Sequence, residues 1–419
     1  MKKHLVKIIA MTMCAAMLTG CAAQANGVKN LTDGVEAADM TLPAASGYTA
    51  IGDLGAGLMQ HAAAQEGENP VISPLSAYLC LAMLMPGAEG NTRAEFEKIL
   101  GADWEQVSAL CADIAAQLAK LEGGTRLDLA NSIWADDDKA AIEEEWLKTV
   151  KACFGPEVYT ADLPSEEALK AINKWVNDKT NGMIPKLHDE KYDKNTVLVL
   201  LNALYMKAEW MNKFNAEDTY DRDFTKADGS AAAVPFMNLH ETYESYIKAG
   251  GAEGAMLRYN DGRLTFMALM PEDGDARGYA ASLNGAKLKE LMAAAKADTF
   301  MNLSMPKFAA GYSVYLKDAL KAMGMTDAFD PDLADLSGVG RGADGPLYIS
   351  SVLQKVRVDV DEEGTEAAAV TEAVTAEKMS LPVDEPIELT FDKPFVYAIA
   401  DTETGVPLFV GVMENPEAK

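Results

Sequence analysis

Acidic residues spaced two apart near the carboxyl end of the chain are the first pattern that could bind a ligand. Asp359, Asp361 and Glu363, followed by Gly364, match the beginning of a calcium-binding loop of the EF-hand type. Such a loop completes its coordination shell with a bidentate glutamate at its twelfth position. Val370 occupies that position. Because valine cannot coordinate calcium, the pattern predicts no metal site.

Three glycines form a second pattern with possible chemistry. Gly340, Gly342 and Gly345 have the spacing of a dinucleotide-binding loop. That loop binds phosphate only where it joins a strand to a helix N-terminus. Pro346 and a strand-like stretch follow instead, so the glycines predict a turn, and we expect no cofactor.

The residues for nucleophilic or metal-assisted catalysis are sparse. Beyond residue 20 the histidines are His61, His188 and His240, and neither HExxH nor GxSxG occurs. A lone histidine is more often a surface or hydrogen-bonded residue than a catalytic base. A pair of catalytic carboxylates stays open in so acidic a chain, but the sequence favours a protein that is not an enzyme.

The segment that differs most from an ordinary loop covers residues 362–386, after a predicted strand at residues 354–361. It contains no aromatic residue. A connection of this length in a compact domain indicates either function or disorder. Gly364 at its start, with Pro382 and Pro386 near its end, predicts a hinge at each end.

Side chains in this segment alternate with the period of a β-strand. One row is small and uncharged, whereas the other includes Glu366 and Glu372. The small row consists of Thr365, Ala367, Ala369, Thr371, Ala373 and Thr375. A strand with one small face can enter a crowded sheet while its other face stays in water. The pattern therefore predicts a loop that can become a strand, although composition alone fits an exposed alanine-rich loop or helix equally well.

Several local signals predict the elements that position this segment. One predicted helix begins at Ser73 with Pro74, and a second begins at a capping box of Thr92 with Glu95. Two further helices are predicted over residues 166–179 and 313–323. Apolar runs from Thr196 and from Leu264 predict strands covered on both faces. Runs at residues 394–400 and 407–412 predict two final core strands. No clear linker follows residue 47, which favours one domain over residues 47–419.

The amino terminus has the form of a bacterial export signal. Lysines precede an apolar stretch too short to span a bilayer, which predicts a signal peptide over residues 1–20. Leu18, Thr19 and Gly20 before Cys21 match a lipobox. We therefore expect lipidation of Cys21, a tether over residues 21–46, and an extracytoplasmic lipoprotein anchored at the membrane or cell surface. An ordinary signal peptide with a chance cysteine is the alternative.

Charge and cysteine content narrow the partners further. The formal net charge of −27 argues against nucleic acid and against electrostatic binding to anionic lipid. Membrane contact is therefore expected only through the lipid. Cys80, Cys111 and Cys153 are too widely spaced for a metal or redox motif, and we expect Cys80 and Cys111 to be buried and no disulfide to form.

Over residues 47–416 the sequence resembles the serpin family. The matching motifs are long, and they occur in the family's order and spacing. They lie at residues 69–76, 87–92, 131, 172–184, 202–210, 306–308, 335–338, 363–369, 394–395 and 407–416.

The resemblance implies an α+β serpin fold with three β-sheets, eight or nine helices and an exposed reactive-centre loop at about residues 362–386. It also implies a monomeric, suicide-type inhibitor of serine proteases. In the family, the protease cleaves the loop and is held as an acyl-enzyme while the cut loop inserts into the central sheet. The alternative is a non-inhibitory serpin that acts as a surface binding or carrier protein, which bulky, charged or proline residues in the small row would favour. None occurs between Gly364 and Thr375.

The resemblance assigns roles to individual residues. The loop hinge comprises Glu363, Gly364, Thr365, Glu366, Ala367, Ala368, Ala369, Val370 and Thr371. Thr365 begins insertion. Ser73, Ser76, Asn202 and Gln354 match the polar cluster under the sheet opening, and Trp210 matches the aromatic residue at its top. Gln354 replaces the family's usual histidine, so the opening lacks a group that titrates near neutral pH.

Counting the family's usual hinge length from Gly364 places the reactive bond between Lys378 and Met379. A lysine before the bond predicts a trypsin-like protease, whose specificity pocket holds a carboxylate. Cleavage after Glu377, Met379 or Val374 stays open. A cut after Met379 or Val374 would indicate an elastase-like or chymotrypsin-like target.

Overall fold

The computed structural model describes residues 6–7, 27–365 and 385–417. Within them are nine α-helices: α1 (Thr49–Ala63), α2 (Pro74–Ala82), α3 (Gly90–Leu100), α4 (Trp104–Leu118), α5 (Glu144–Cys153), α6 (Glu166–Lys179), α7 (Ala276–Ala281), α8 (Gly285–Ala294) and α9 (Lys317–Ala322). None of the helices in these ranges has the length and apolar character needed to cross a bilayer.

The central sheet has seven strands. In spatial order they are β14 (Phe308–Tyr315), β16 (Ser351–Val360), β17 (Gly364–Thr365), β8 (Leu198–Glu209), β5 (Arg126–Asp136), β7 (Glu157–Ala161) and β2 (Lys29–Asn30). β8 and β16 also pair directly with each other. This additional pairing shows that β17 separates the two strands over only part of their length.

Nine further strands form a network that β10 divides into two sheets. One contains β9 (Tyr220–Thr225), β10 (Ala231–Ala249), β13 (Lys296–Pro306) and β18 (Ile387–Thr390), and the other contains β11 (Ala252–Arg258), β12 (Leu264–Pro271), β19 (Phe395–Asp401), β20 (Pro407–Met413) and β4 (Val71–Ile72). Residues 231–246 of β10 pair with β9 and β13, and residues 245–249 pair with β11. Two register shifts along β10 let it bend between the sheets. The predicted α+β fold with three sheets is confirmed.

Two small ladders complete the strand pairing. β1 (Val6–Lys7) pairs with β3 (Thr41–Leu42), and β6 (Ala140–Ile142) pairs with β15 (Gly340–Gly342). The three glycines with dinucleotide-loop spacing thus begin in a short strand and not at a helix.

The core lies on both faces of the central sheet. On one face, all nine residues of α2 are buried, and α2 packs between this sheet and β20. On the other face, α6 places Ile172, Trp175 and Val176 in a second cluster with Trp134 of β5 and Leu353 of β16. Because both faces are covered, β8 has the continuous apolar sequence that predicted a buried strand.

Most predicted elements are confirmed, and the tertiary structure explains two that are wrong. The capping box is wrong because α3 begins at Gly90. Thr92 instead accepts a hydrogen bond from Asp335 N (3.0 Å), and Glu95 accepts one from Asp327 N (2.9 Å). Both buried side chains therefore stabilise a distant loop.

The predicted helix at residues 313–323 is wrong in its first turn. β14 continues to Tyr315, and α9 begins only at Lys317. Ser313 pairs with Lys355 of β16. The spacing of apolar residues within the segment predicts a helix, but it does not show the neighbouring strand. Backbone hydrogen bonds to that strand keep residues 313–315 extended.

The cysteines behave as core residues. Cys80, Cys111 and Cys153 are free thiols, and all three are buried. Burial raises the pKa of the Cys80 and Cys111 thiols and brings that of Cys153 to about 11. The predicted burial of Cys80 and Cys111 is confirmed.

The predicted tether of residues 21–46 is not free in its described part, residues 27–46. β2 pairs with β7 through Lys29 and Thr160. Further along, Leu42 is 2 % exposed and packs against Ala109 of α4 and Cys153 of α5. Because a leucine at such a position removes apolar area from water, this segment belongs to the folded body.

We expect Leu42→Ala to lower the free energy of unfolding by about 2–4 kcal/mol, because it removes buried methyl groups and leaves a cavity. The midpoint of urea unfolding measures this effect. Leu333→Ala is the matched control, since Leu333 is 61 % exposed. Equal midpoints for the two variants would show that the Leu42 side chain contributes nothing to the stability of the fold.

Candidate functional site

The central sheet divides at one end, where β8 and β16 part. The two strands pair in parallel over six residue pairs, from Ser351 with Val199 to Val356 with Leu204. Beyond this ladder β17 lies between them: Thr365 pairs with Val360 of β16 and with Ala208 of β8. We call residues 356–360, 364–365 and 204–209 the fork. β17 runs antiparallel to both of its neighbours.

Gly364 lies at a point in the fork where there is no room for a side chain. A Cβ at Gly364 would lie 2.0 Å from the carbonyl oxygen of Ala208. Any other residue would push β17 away from β8, because the obstacle is backbone. The glycine therefore permits the close approach that lets Thr365 enter the sheet.

A tight turn built on Asp361 connects β16 to β17. The Asp361 carboxylate accepts hydrogen bonds from Glu363 N (3.0 Å) and Gly364 N (3.2 Å). This is the usual role of an aspartate in a turn. Burial raises the pKa of the Asp361 carboxyl group, and these backbone donors oppose that effect.

Each acidic residue that imitates a calcium loop thus has a partner in the protein. The turn uses Asp361, whereas Asp359 pairs with Arg357 and Glu363 pairs with Lys213. Within the ranges that the structure describes, no cluster of three or more His, Cys, Asp or Glu side chains could hold a metal ion.

A buried, stacked pair of aromatic rings packs beside the fork. The rings of Trp210 and Tyr259 lie 4.8 Å apart and 9° from parallel. Trp210 Nε1 donates to the carbonyl oxygen of Asp361 (2.8 Å), and the hydroxyl of Tyr259 hydrogen bonds to Thr365 Oγ1 (2.6 Å). The pair therefore contacts both ends of the turn.

Two ion pairs flank the fork at the surface. Lys307 Nζ lies 2.7 Å from Glu362, and Lys213 Nζ lies 2.7 Å from Glu363. The lysine side chains are well exposed, so each pair contributes at most about 1 kcal/mol.

A buried polar cluster connects the sheet to the start of α2. Ser73 N donates to Gln354 Oε1 (2.9 Å), and Gln354 Nε2 donates to Ser73 O (3.0 Å) and Asn202 Oδ1 (2.7 Å). Asn202 Nδ2 donates in turn to Ser76 Oγ and to Asn131 Oδ1, each at 2.5 Å. Ser73 also caps α2 by accepting from Ser76 N. One helix terminus thus joins β5, β8 and β16.

The contact between Asn202 and Gln354 crosses the junction of β8 and β16, which we call the seam. This junction would have to open for another strand to enter between β8 and β16. These residues face each other in the β8–β16 ladder, and both are fully buried. Separating the strands breaks their hydrogen bond and leaves buried polar groups without partners, which costs about 1–3 kcal/mol per group. The cluster therefore holds the seam closed.

The structure brings eight of the predicted site residues into two groups. Ser73, Ser76, Asn202 and Gln354 form one network, whereas Trp210 lies apart from it in the fork with Glu363, Gly364 and Thr365. The remaining predicted hinge residues, Glu366 to Thr371, lie outside the described residues, as do Lys378, Met379 and Cys21.

The sequence does not identify two members of the site. Asn131 is one of the positions that match the serpin family, but the resemblance assigns it no role, and nothing local distinguishes it from the polar Asp128 and Ser132 of the same strand. Tyr259 follows β11 and has no local pattern that marks it, because its partners Trp210 and Thr365 are remote in sequence.

Comparison with known proteins gives a consistent result. The family model for serpin (serine protease inhibitor) matches residues 49–416. Serpin B10 of Otolemur garnettii is 30 % identical over 85 % of this chain and 95 % of the relative. Leukocyte elastase inhibitor A of Mus musculus is 31 % identical over 83 % of this chain and 93 % of its own length.

Solved structures show the same likeness. The native state of tengpin, a thermophilic serpin, superposes with a TM-score of 0.83 at 32 % identity and covers 93 % of this chain and 100 % of its own. Its latent state gives a TM-score of 0.73 over 88 % of this chain and 97 % of its own. The matched residues include the fork, both strands beside it and the polar cluster, and the chain belongs to the serpin family.

Proposed function

We propose that this chain inhibits serine proteases by presenting residues 362–386 as bait and inserting the cut loop into the fork. The observation that carries the proposal is the position of β17. Its two residues already lie between β8 and β16, in the orientation that a longer inserted strand would continue. The small row that starts at Thr365 is then the face that follows into the sheet.

The covalent step follows from the chemistry of serine proteases. The serine oxygen of the protease attacks the carbonyl carbon of Lys378, and the bond to Met379 breaks. Met379 leaves with a protonated new amino group, and Lys378 stays esterified to the protease. Insertion of the segment that ends at Lys378 then moves the protease away from its starting position before water cleaves the ester.

The free energy for insertion lies in the pairing of the central sheet. At present six residue pairs join β8 to β16 in a parallel ladder. An inserted strand replaces that ladder with two antiparallel ladders, which doubles the strand contacts and gives the slightly more stable geometry. The polar cluster opposes this change, and the uncut loop stays joined to β17 at one end and β18 at the other, so the uncut form persists.

The target class rests on Lys378, which favours a trypsin-like protease. The name of leukocyte elastase inhibitor A describes elastase as the target of that relative. Elastase-like and chymotrypsin-like enzymes therefore belong in the same test panel.

The direct experiment is incubation with trypsin-like, elastase-like and chymotrypsin-like proteases, followed by denaturing electrophoresis and mass spectrometry of the released carboxyl-terminal fragment. We expect a covalent complex with one class and a fragment that begins at Met379. Complete cleavage without a complex across the panel would contradict inhibition and favour a binding or carrier role.

We also propose that the protein acts outside the cytoplasm as a lipoprotein linked through Cys21. We expect Cys21→Ser to shift the protein from the membrane fraction to the soluble fraction, because the thiol that carries the lipid is lost. Cell fractionation and metabolic labelling with a fatty acid measure this. Cys153→Ser is the control, since that thiol is buried. Equal membrane retention of both variants would refute the anchor.

Thr365→Arg should convert the inhibitor to a substrate, because the buried face of the fork cannot accept a long cation. We expect cleavage to continue while the covalent complex disappears. Ser313→Arg, on an exposed position of β14, is the matched control. Retention of the complex by Thr365→Arg would show that this residue does not enter the sheet.

Gln354→Met should loosen the seam, because it nearly preserves volume but removes the hydrogen bonds to Ser73 and Asn202. We expect the uncut form to lose about 1–3 kcal/mol of stability, measured by urea unfolding. Lys355→Met, the next residue of the strand, should have a smaller effect. The reverse order would mean that the polar cluster does not hold the seam.

A further inference from the structure

We propose that the hydroxyl of Tyr259 sets the register in which the loop enters the central sheet, by hydrogen bonding to the residue at position 365. This inference rests on the proposed inhibitory function and adds a positioning residue to it. The contact that carries it is the 2.6 Å hydrogen bond between the Tyr259 hydroxyl and Thr365 Oγ1.

The hydroxyl of Tyr259 is held in a fixed place. Its side chain is 0 % exposed, and its ring stacks on Trp210, which itself packs edge-on against Phe214 and Phe266. An isolated antiparallel β-bridge also joins the backbones of Trp210 and Tyr259. A fully buried ring stacked on a packed partner cannot follow a loop that shifts, so its hydroxyl marks one position along the fork.

The hydroxyl of Thr365 is equally buried, since the residue is 2 % exposed. A buried hydroxyl without a partner costs free energy, and here each hydroxyl satisfies the other. Burial raises the pKa of the Tyr259 phenol, so it stays protonated and can donate. The match between the two groups is therefore specific for a small hydroxyl side chain.

Neighbouring residues of the loop do not fit this contact. Because side chains alternate along a strand, a slip of one residue would place Glu366 against Tyr259 and turn the whole small row toward the other face. A slip of two residues would place Ala367 there, and alanine offers no hydrogen bond. Thr365 is thus the residue that pairs correctly, and its pairing aligns every residue that follows.

Register matters because insertion competes with hydrolysis of the acyl-enzyme. A loop that starts in the correct register continues residue by residue, whereas a misaligned start must withdraw first. The delay releases more active protease and consumes more inhibitor. Loss of the Tyr259 hydroxyl should therefore raise the moles of inhibitor consumed for each mole of protease inactivated.

The experiment measures that stoichiometry for Tyr259→Phe with the protease that the wild-type chain traps. Loss of one hydrogen bond, worth about 1 kcal/mol, corresponds to a rise of roughly fivefold in the ratio of cleaved to trapped inhibitor. Thr365→Val should give the same rise, Thr365→Ser should restore the wild-type value, and the double variant should be no worse than either single one.

Tyr397→Phe is the matched control. Tyr397 is also fully buried and stacks on Phe266, but its hydroxyl lacks a hydrogen-bond partner within the described residues. Its removal should leave the stoichiometry unchanged. If Tyr259→Phe fails to fold, the comparison of Thr365→Val with Thr365→Ser decides the question.

The outcomes separate this inference from the function on which it rests. If the wild-type chain traps a protease and Tyr259→Phe traps it with the same stoichiometry, the register role is refuted and inhibition stands. A lower unfolding midpoint with unchanged stoichiometry also refutes it, because the hydroxyl would then be only structural. If the wild-type chain traps nothing and the cut form gains no stability, both proposals fail.

Discussion

The central sheet is constrained by the seam between β8 and β16. These strands run parallel, are buried on both faces, and are joined by side chains as well as backbone through Asn202 and Gln354. Because β8 and β16 run in the same direction, one strand inserted between them can pair antiparallel with both. The polar cluster joins the two strands at this seam, and the fork lies at the end where they part.

The two buried groups divide these tasks. The polar cluster uses the N-terminus of α2 to join three strands, so separation of the seam disturbs a connected network and not a single bond. The fork combines close packing with hydrogen bonds: Gly364 allows close approach to Ala208, and the stacked Trp210–Tyr259 pair hydrogen bonds to Asp361 and Thr365. Closure therefore depends on the polar cluster, and the entry point depends on both packing and hydrogen bonding in the fork.

Local sequence signals predict correctly those elements that are determined by residues adjacent in the sequence. Ser73 with Pro74, the apolar run of β8 and the alternation along β16 predict their elements because capping, burial and period are local properties. Thr92 and Glu95 mislead because their side chains bind a loop more than 230 residues away. Residues 313–315 mislead because β16 pairs with them. Tyr259 gives no signal at all, since its role arises only when β11, β8 and β17 meet.

Insertion of the cut loop between β8 and β16 can be measured as a difference in stability between the intact and the cleaved chain. Thermal unfolding would be recorded for the intact chain and for the same chain cut once within residues 362–386, with its two fragments still associated. Insertion of the cut segment should raise the unfolding midpoint strongly, because a new strand joins β8 and β16. An unchanged or lower midpoint would contradict it, since the cut segment would then have remained outside the sheet.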